Sequence, residues 1–259
     1  AMRGLPITLV HVVAPIVVSW PMGPMHDNIT TWQREHGLEI LDRSRRIAAG
    51  STPDLRTELH HGAPVPGLVD ASKDAEMVVV GSRGQSAFRR DLLGSVSSGL
   101  IRHGRCPVAV IHDADSLAQL KPKAPVLVGI DGSPASEAAT ALAFDEASRR
   151  GVDLVALHAW SDVAVFPILG MDWRTYRDQG EEALAERLAG WGERYPDVRV
   201  HRRLVCDRPA RWLVEESVNA QLVVLGSHGR GGFAGMLLGS VSAAVAESTR
   251  VPVIVTRSG

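Results

Sequence analysis

Two glycine motifs of identical spacing offer the clearest chemistry in this chain. Gly81-x-x-Gly84 is followed after nine residues by Gly94-Ser95, and Gly226-x-x-Gly229 after nine residues by Gly239-Ser240, an offset of 145. Glycine lets a backbone come close to a ligand, and a helix start offers unpaired N–H groups to a phosphate. Each motif follows an apolar run, residues 77–80 or 222–225, and precedes a Ser-rich stretch that reads as a helix. In open α/β sheets ligands sit outside the carboxyl ends of strands, which is where such a loop would lie. The same glycines also serve as plain turn formers, with Ser240 as a helix cap. Recurrence of the three-glycine spacing at the same place favours phosphate binding over that reading. Neither G-x-x-x-x-G-K-[ST] nor a strand-borne G-x-G-x-x-G occurs, which argues against a P-loop and against the usual dinucleotide fold.

Around the glycines stand further candidates. Arg83 aligns with His228 and Gln85 with Arg230, so each loop carries a cation or donor that suits a phosphate. Asp131 ends an apolar run, residues 126–130. A carboxylate there meets a ribose hydroxyl or a base amine, holds a magnesium ion, or simply caps the turn as an Asx residue. His11 and His158 share a repeat position at a strand end, which suits packing or the lining of a crevice. No G-x-S-x-G, no H-E-x-x-H and no Cys/His spacing typical of zinc is present. The six tryptophans are not spaced for stacking on single-stranded nucleic acid. These residues describe a nucleotide site with no clear general base and no assignable catalytic residue. Phosphoryl transfer needs mainly positioning and charge neutralisation, so slow hydrolysis is compatible with it.

The elements that must position these groups come twice. Residues 62–111 and 207–256 agree, without gaps, at 21 of 50 positions, and 3–11 matches 150–158. Duplication follows. The chain reads as one unit over 1–113 and another over 124–259, joined by a polar stretch. The second unit reads complete, with strands at 126–130, 152–159, 198–205, 222–225 and 251–256. Helices are expected from 134 to about 150, with Ser133 or Ser136 as N-cap, and over 181–194, 210–219 and 240–248. Strands of apolar centre alternating with helices imply a parallel sheet covered on both faces. The fold class is therefore α/β, two tandem open-sheet units, each a five-stranded parallel sheet flanked by helices. In the first unit nothing in the chain matches 126–147, so the opening strand and its aspartate have no counterpart.

With 259 residues, 45% hydrophobic and 22% charged, the composition is that of an ordinary globular protein. A net charge of −1 gives no electrostatic case for nucleic acid or an anionic membrane. No apolar run approaches a membrane span. Cys106 and Cys206 have no paired spacing and read as reduced thiols in the cytoplasm.

Val-Gly-Ile-Asp-Gly-Ser at 128–133, His158-Ala159, and the doubled glycine motif resemble the universal stress protein family, in its tandem, ATP-binding form. The resemblance implies ATP, with Mg2+, held across the strand ends. Gly129 and Asp131 would lie on the adenosine side, and Ala159 to Asp162 would frame the base. Gly226, Ser227, His228, Gly229, Arg230, Gly231 and Gly232 would wrap the ribose and phosphates. Gly239, Ser240, Val241 and Ser242 would take the terminal phosphates. In the first unit the equivalents are Gly81, Ser82, Arg83, Gly84, Gln85, Ser86 and Ala87, then Gly94, Ser95, Val96 and Ser97. Family members commonly associate through the last strand, so residues 108–111 and 253–255 are expected to pair within the chain or across a homodimer. The function implied is regulatory signalling through nucleotide occupancy in a stress response. A slow ATPase or phosphate-transfer enzyme, and a nucleotide-free scaffold, are the alternatives.

Overall fold

Strands that are apolar on both faces need cover on both faces, and this decides the architecture. In the computed structural model, which describes residues 3–15, 23–84, 93–112, 118, 121–159, 173–230 and 237–257, the chain divides into two compact units, Ala1–Asp74 and Ala75–Gly259. In the first, β1 (Ile7–Val13) and β2 (Leu55–His61) pair in parallel, with α1 (Gly23–Ala48) between them and α2 (Pro64–Ala71) after. Gly37 brings α1 close to this pair; a Cβ there would lie 2.8 Å from Leu59 Cδ1.

The second unit runs β3 (Val78–Gly81), α3 (Ser95–His103), β4 (Val108–Ile111), β5 (Val126–Gly129), α4 (Pro134–Arg150), β6 (Leu154–Ala159), α5 (Trp173–Arg187), α6 (Trp191–Arg194), β7 (Val200–Val205), α7 (Pro209–Ser217), β8 (Leu222–Gly226), α8 (Ser240–Ser248) and β9 (Val253–Thr256). Its seven strands lie in the order β3-β4-β9-β8-β5-β6-β7. Every neighbouring pair is parallel except β4 and β9. The five strands of the second repeat thus form the expected parallel sheet. Side chains alternate across it. Val126 and Val128 join the buried cluster of Ala139, Ala143, Phe144 and Leu184, while a side chain at the alternate position 129 would meet Leu213 of α7. Helices therefore cover both faces. The edge strand β7 exposes His201, Arg202 and Arg203, a polar border that discourages further pairing.

The last strands of the two repeats meet within the chain. Val108 stands opposite Val255, Ala109 opposite Ile254 and Val110 opposite Val253, antiparallel. These are repeat-equivalent positions at the offset of 145, so the pairing has a local two-fold symmetry about Ala109 and Ile254. The remaining first-repeat strands stand as the pair β1–β2 and the pair β3–β4. In the second repeat β5 bonds both β6 and β8. The repeat boundary and the compact units consequently do not coincide.

α4 follows directly from its sequence. Ser133 caps it, its Oγ accepting from Ser136 N at 3.2 Å, and Pro134 takes the first helical position. Gly151, at φ 61, closes the helix in the left-handed conformation that glycine tolerates. The expected helix over 181–194 differs from the structure. It is two helices, α5 reaching back to Trp173 and the short α6, broken where Gly190 turns at φ 78. Among the described residues, no helix is long and apolar enough to cross a membrane.

Candidate functional site

The carboxyl ends of β5 and β8 meet over Asp131, which holds two distant loops together. Its Oδ1 accepts from Ser133 N at 2.9 Å, the Asx turn expected as one of its roles, and its Oδ2 accepts from Arg230 N at 3.2 Å, across 99 residues. Ser133 reinforces the link by donating from Oγ to His228 O at 3.2 Å. Sequence reasoning saw the cap and missed the bridge, because spacing along the chain carries no sign of it.

Glycine is required at two places in this loop by close packing. A Cβ on Gly229 would collide with the Asp131 carboxylate, and one on Gly226 would lie 2.7 Å from the Ala135 carbonyl carbon. The loop then closes by hydrogen bonds that recur in both repeats. Gly239 N donates to Ser227 O at 2.7 Å, and Gly94 N to Ser82 O at 2.7 Å. Ser227 N donates to Thr256 O and Ser82 N to Ile111 O, each at 2.7 Å. Gly239 and Gly94 stand at the N-caps of α8 and α3, and neither helix start has a side-chain cap. The first-turn amides of an α-helix have no partner within the helix, and these are the amides of Ser240, Val241 and Ser242 in α8 and of Ser95, Val96 and Ser97 in α3. The hydroxyls of Ser242 and Ser97 are committed inward, to Gly226 O at 2.6 Å and to Ser82 O at 3.1 Å.

The two loops share a skeleton and differ in their neighbours. Among the described residues nothing lies within 4 Å of a Cβ built on Gly84, and at Gly81 the nearest atom is Arg83 O at 3.4 Å. Asp162, Gly231, Gly232, Gln85, Ser86 and Ala87 lie outside the described residues. Gly129 and Ala159 end the neighbouring strands β5 and β6.

His158 is buried, and its Nδ1 donates to Ile130 O at 2.6 Å, which fixes the proton on Nδ1 of the neutral ring. Burial pulls its pKa below the usual imidazole value; the Ile130 carbonyl opposes this, the charges of Arg187 and Arg230 add to it, and Asp131 opposes it. The unfolded chain therefore binds this proton more readily than the fold does. The stabilising contribution is complete above about pH 6.5 and is lost as pH falls from there through the lowered folded value. Urea midpoints at pH 7.5 and pH 5.5 should show part of the acid loss disappearing in His158→Asn, which keeps a donor for Ile130 and cannot titrate. An unchanged difference would remove His158 from the account.

Arg187, at the end of α5, is a second group that sequence reading missed, since one arginine on a helix gives no signal of where it points. Its guanidinium lies over the Gly132 backbone, where a Cβ would come within 2.6 Å of Nη2. Nη1 is shielded from water and, among the described residues, has no hydrogen-bond partner. Burial first, and then the charge of Arg230, lower its pKa.

The sequence profile of the universal stress protein family matches residues 1–112 and again 124–257. The chain belongs to that family. A universal stress protein of Mycobacterium bovis is 56% identical, covering 99% of this chain and 89% of its own length. One of Mycobacterium tuberculosis is 53% identical, covering 99% and 88%. The crystal structure of a universal stress protein from Archaeoglobus fulgidus aligns over 100% of this chain and 88% of its own, with 26% identity and a TM-score of 0.70. The profile falls on this chain as two tandem segments, which agrees with the internal duplication.

Proposed function

We propose that this tandem universal stress protein binds ATP in the crevice of its second repeat and signals through occupancy of that site. The observation that carries the reading is the start of α8, uncapped by any side chain, beside a loop whose backbone is drawn in by Gly226 and Gly229. Outward amides at the positive end of a helix suit phosphate oxygens. Gly129, Asp131 and Ala159 line the other end, where a ribose and base would lie. Among the described residues no three His, Cys, Asp or Glu gather to hold a metal. Mg2+ would then arrive with the triphosphate and not in a protein cage. The first repeat, with Gly81, Gly84 and Gly94 in the same skeleton, would hold phosphate by the same backbone groups. We take 1–113 and 124–259 as two copies of one nucleotide-binding unit working in the cytoplasm. A homodimer would need a surface other than β4 and β9, whose neighbours are already in place.

Thermal unfolding with and without ATP tests the reading. A ligand that binds only the folded state at a hundredfold excess over Kd adds about 2.7 kcal/mol. For a chain of this size that raises Tm by about 5–10 °C. Asp131→Ala removes the acceptor for Ser133 N and Arg230 N, so the Tm without ligand should fall and the ATP-dependent rise should vanish. No rise in the unaltered protein at saturating ATP would overturn the proposal.

A further inference from the structure

We propose that Arg187 makes this crevice select for a phosphorylated ligand, holding an anionic oxygen between its guanidinium and that of Arg230. The assignment rests on the nucleotide reading above and names a residue outside the glycine motif, on a different element. Its support begins with Gly132, whose missing side chain, at φ +79, leaves the space that the guanidinium fills. The group is placed there, not left to trail in solvent: Nη1 is shielded and, among the described residues, has no partner. A shielded, unsatisfied donor on a cation is costly unless an acceptor arrives.

The surroundings say what kind of acceptor is wanted. Asp131, the carboxylate at the mouth, already accepts from Ser133 N and Arg230 N. Arg230 adds a second positive charge that disfavours the first, while Asp131, Glu186 and Glu137 favour the charged form of Arg187 through space. His158 is held neutral beside them. The start of α4, a few atoms from Gly132, brings a further positive potential. Asp131 is engaged with the Ser133 and Arg230 amides, so the Arg187 guanidinium keeps a donor for an incoming anion. A planar guanidinium matches the oxygens of a phosphate, which offer paired acceptors and full charge. A nucleoside has neither to give.

Titration calorimetry with ATP, AMP and adenosine on the unaltered chain, Arg187→Gln and Arg187→Lys separates these cases. Arg187→Gln should weaken ATP and AMP by about tenfold to a hundredfold and leave adenosine unchanged, with partial recovery in Arg187→Lys. Without ligand its Tm should hold or rise, because a shielded, unpaired charge has gone; a merely structural arginine would lower it. Equal losses for adenosine and ATP, or no loss for ATP, overturn the assignment. If the unaltered protein binds none of the three, the nucleotide reading fails by itself. Inorganic tripolyphosphate then decides for Arg187: a Tm rise lost in Arg187→Gln sustains it, and no rise overturns it too.

Discussion

Phe144→Ala should lower the unfolding free energy by about 3–5 kcal/mol. Phe144 is fully buried on α4, at the centre of the cluster beneath α5 and α6. It stacks on Trp191 with centroids 5.2 Å apart and on Tyr195 at 5.5 Å, and Arg194 lies over both outer rings at 5.5 and 5.7 Å. Truncation opens a void and removes two ring contacts at once, and the outer rings are held from behind, so collapse into the void is limited. Urea unfolding followed by circular dichroism measures the loss. Phe144→Leu, which keeps most of the volume, should lose much less. A loss under about 1 kcal/mol for the alanine variant would mean that Trp191 and Tyr195 fill the gap, against the cavity relation.

Gly226→Ala comes next in size, and the chain supplies its own control. The new methyl would lie 2.7 Å from the Ala135 carbonyl carbon and 2.9 Å from its oxygen, so the obstacle is backbone that cannot rotate away. Relief requires the first turn of α4 to leave the end of β8. That motion strains the Thr256 Oγ1 bond to Ala135 O and the Ser133 link to His228, at 3.0 and 3.2 Å. Overpacking of this kind costs about 1–3 kcal/mol and more when backbone resists, and the ATP-dependent rise in Tm should be lost with it. Gly81→Ala, the repeat-equivalent change, meets only Arg83 O at 3.4 Å and should leave the unfolding midpoint nearly where it was. Equal losses for the two variants would show that the loop itself, and not the approach of α4, demands glycine.

Much of this was legible in the residues alone, for physical reasons. The central strands of the second repeat, β5, β8 and β9, are apolar runs bounded by turn residues, and the start and stop of α4 are written in Ser133, Pro134 and Gly151. The doubled glycine spacing pointed to the loops that do share one hydrogen-bond skeleton. What sequence left open were the contacts made across space. Val108 and Val255 have the same composition whether they pair inside one chain or between two. Asp131 looks like a turn cap from its neighbours, and its hold on Arg230 N exists only after folding. Arg187 sat unremarked within an amphipathic pattern, and the break at Gly190 was hidden because helical periodicity persists on both sides of it.

The antiparallel junction of β4 and β9 changes how stoichiometry and dilution act on this molecule. Where separate chains must find each other to join by their final strands, assembly fades as concentration drops. Here the two partners travel on one polypeptide, at an effective local concentration that short tethers raise to about millimolar. The junction should therefore persist in nanomolar solution, and each half can diverge in sequence without risking mismatched pairs. One copy is then free to specialise in ligand capture while its sibling takes on another task.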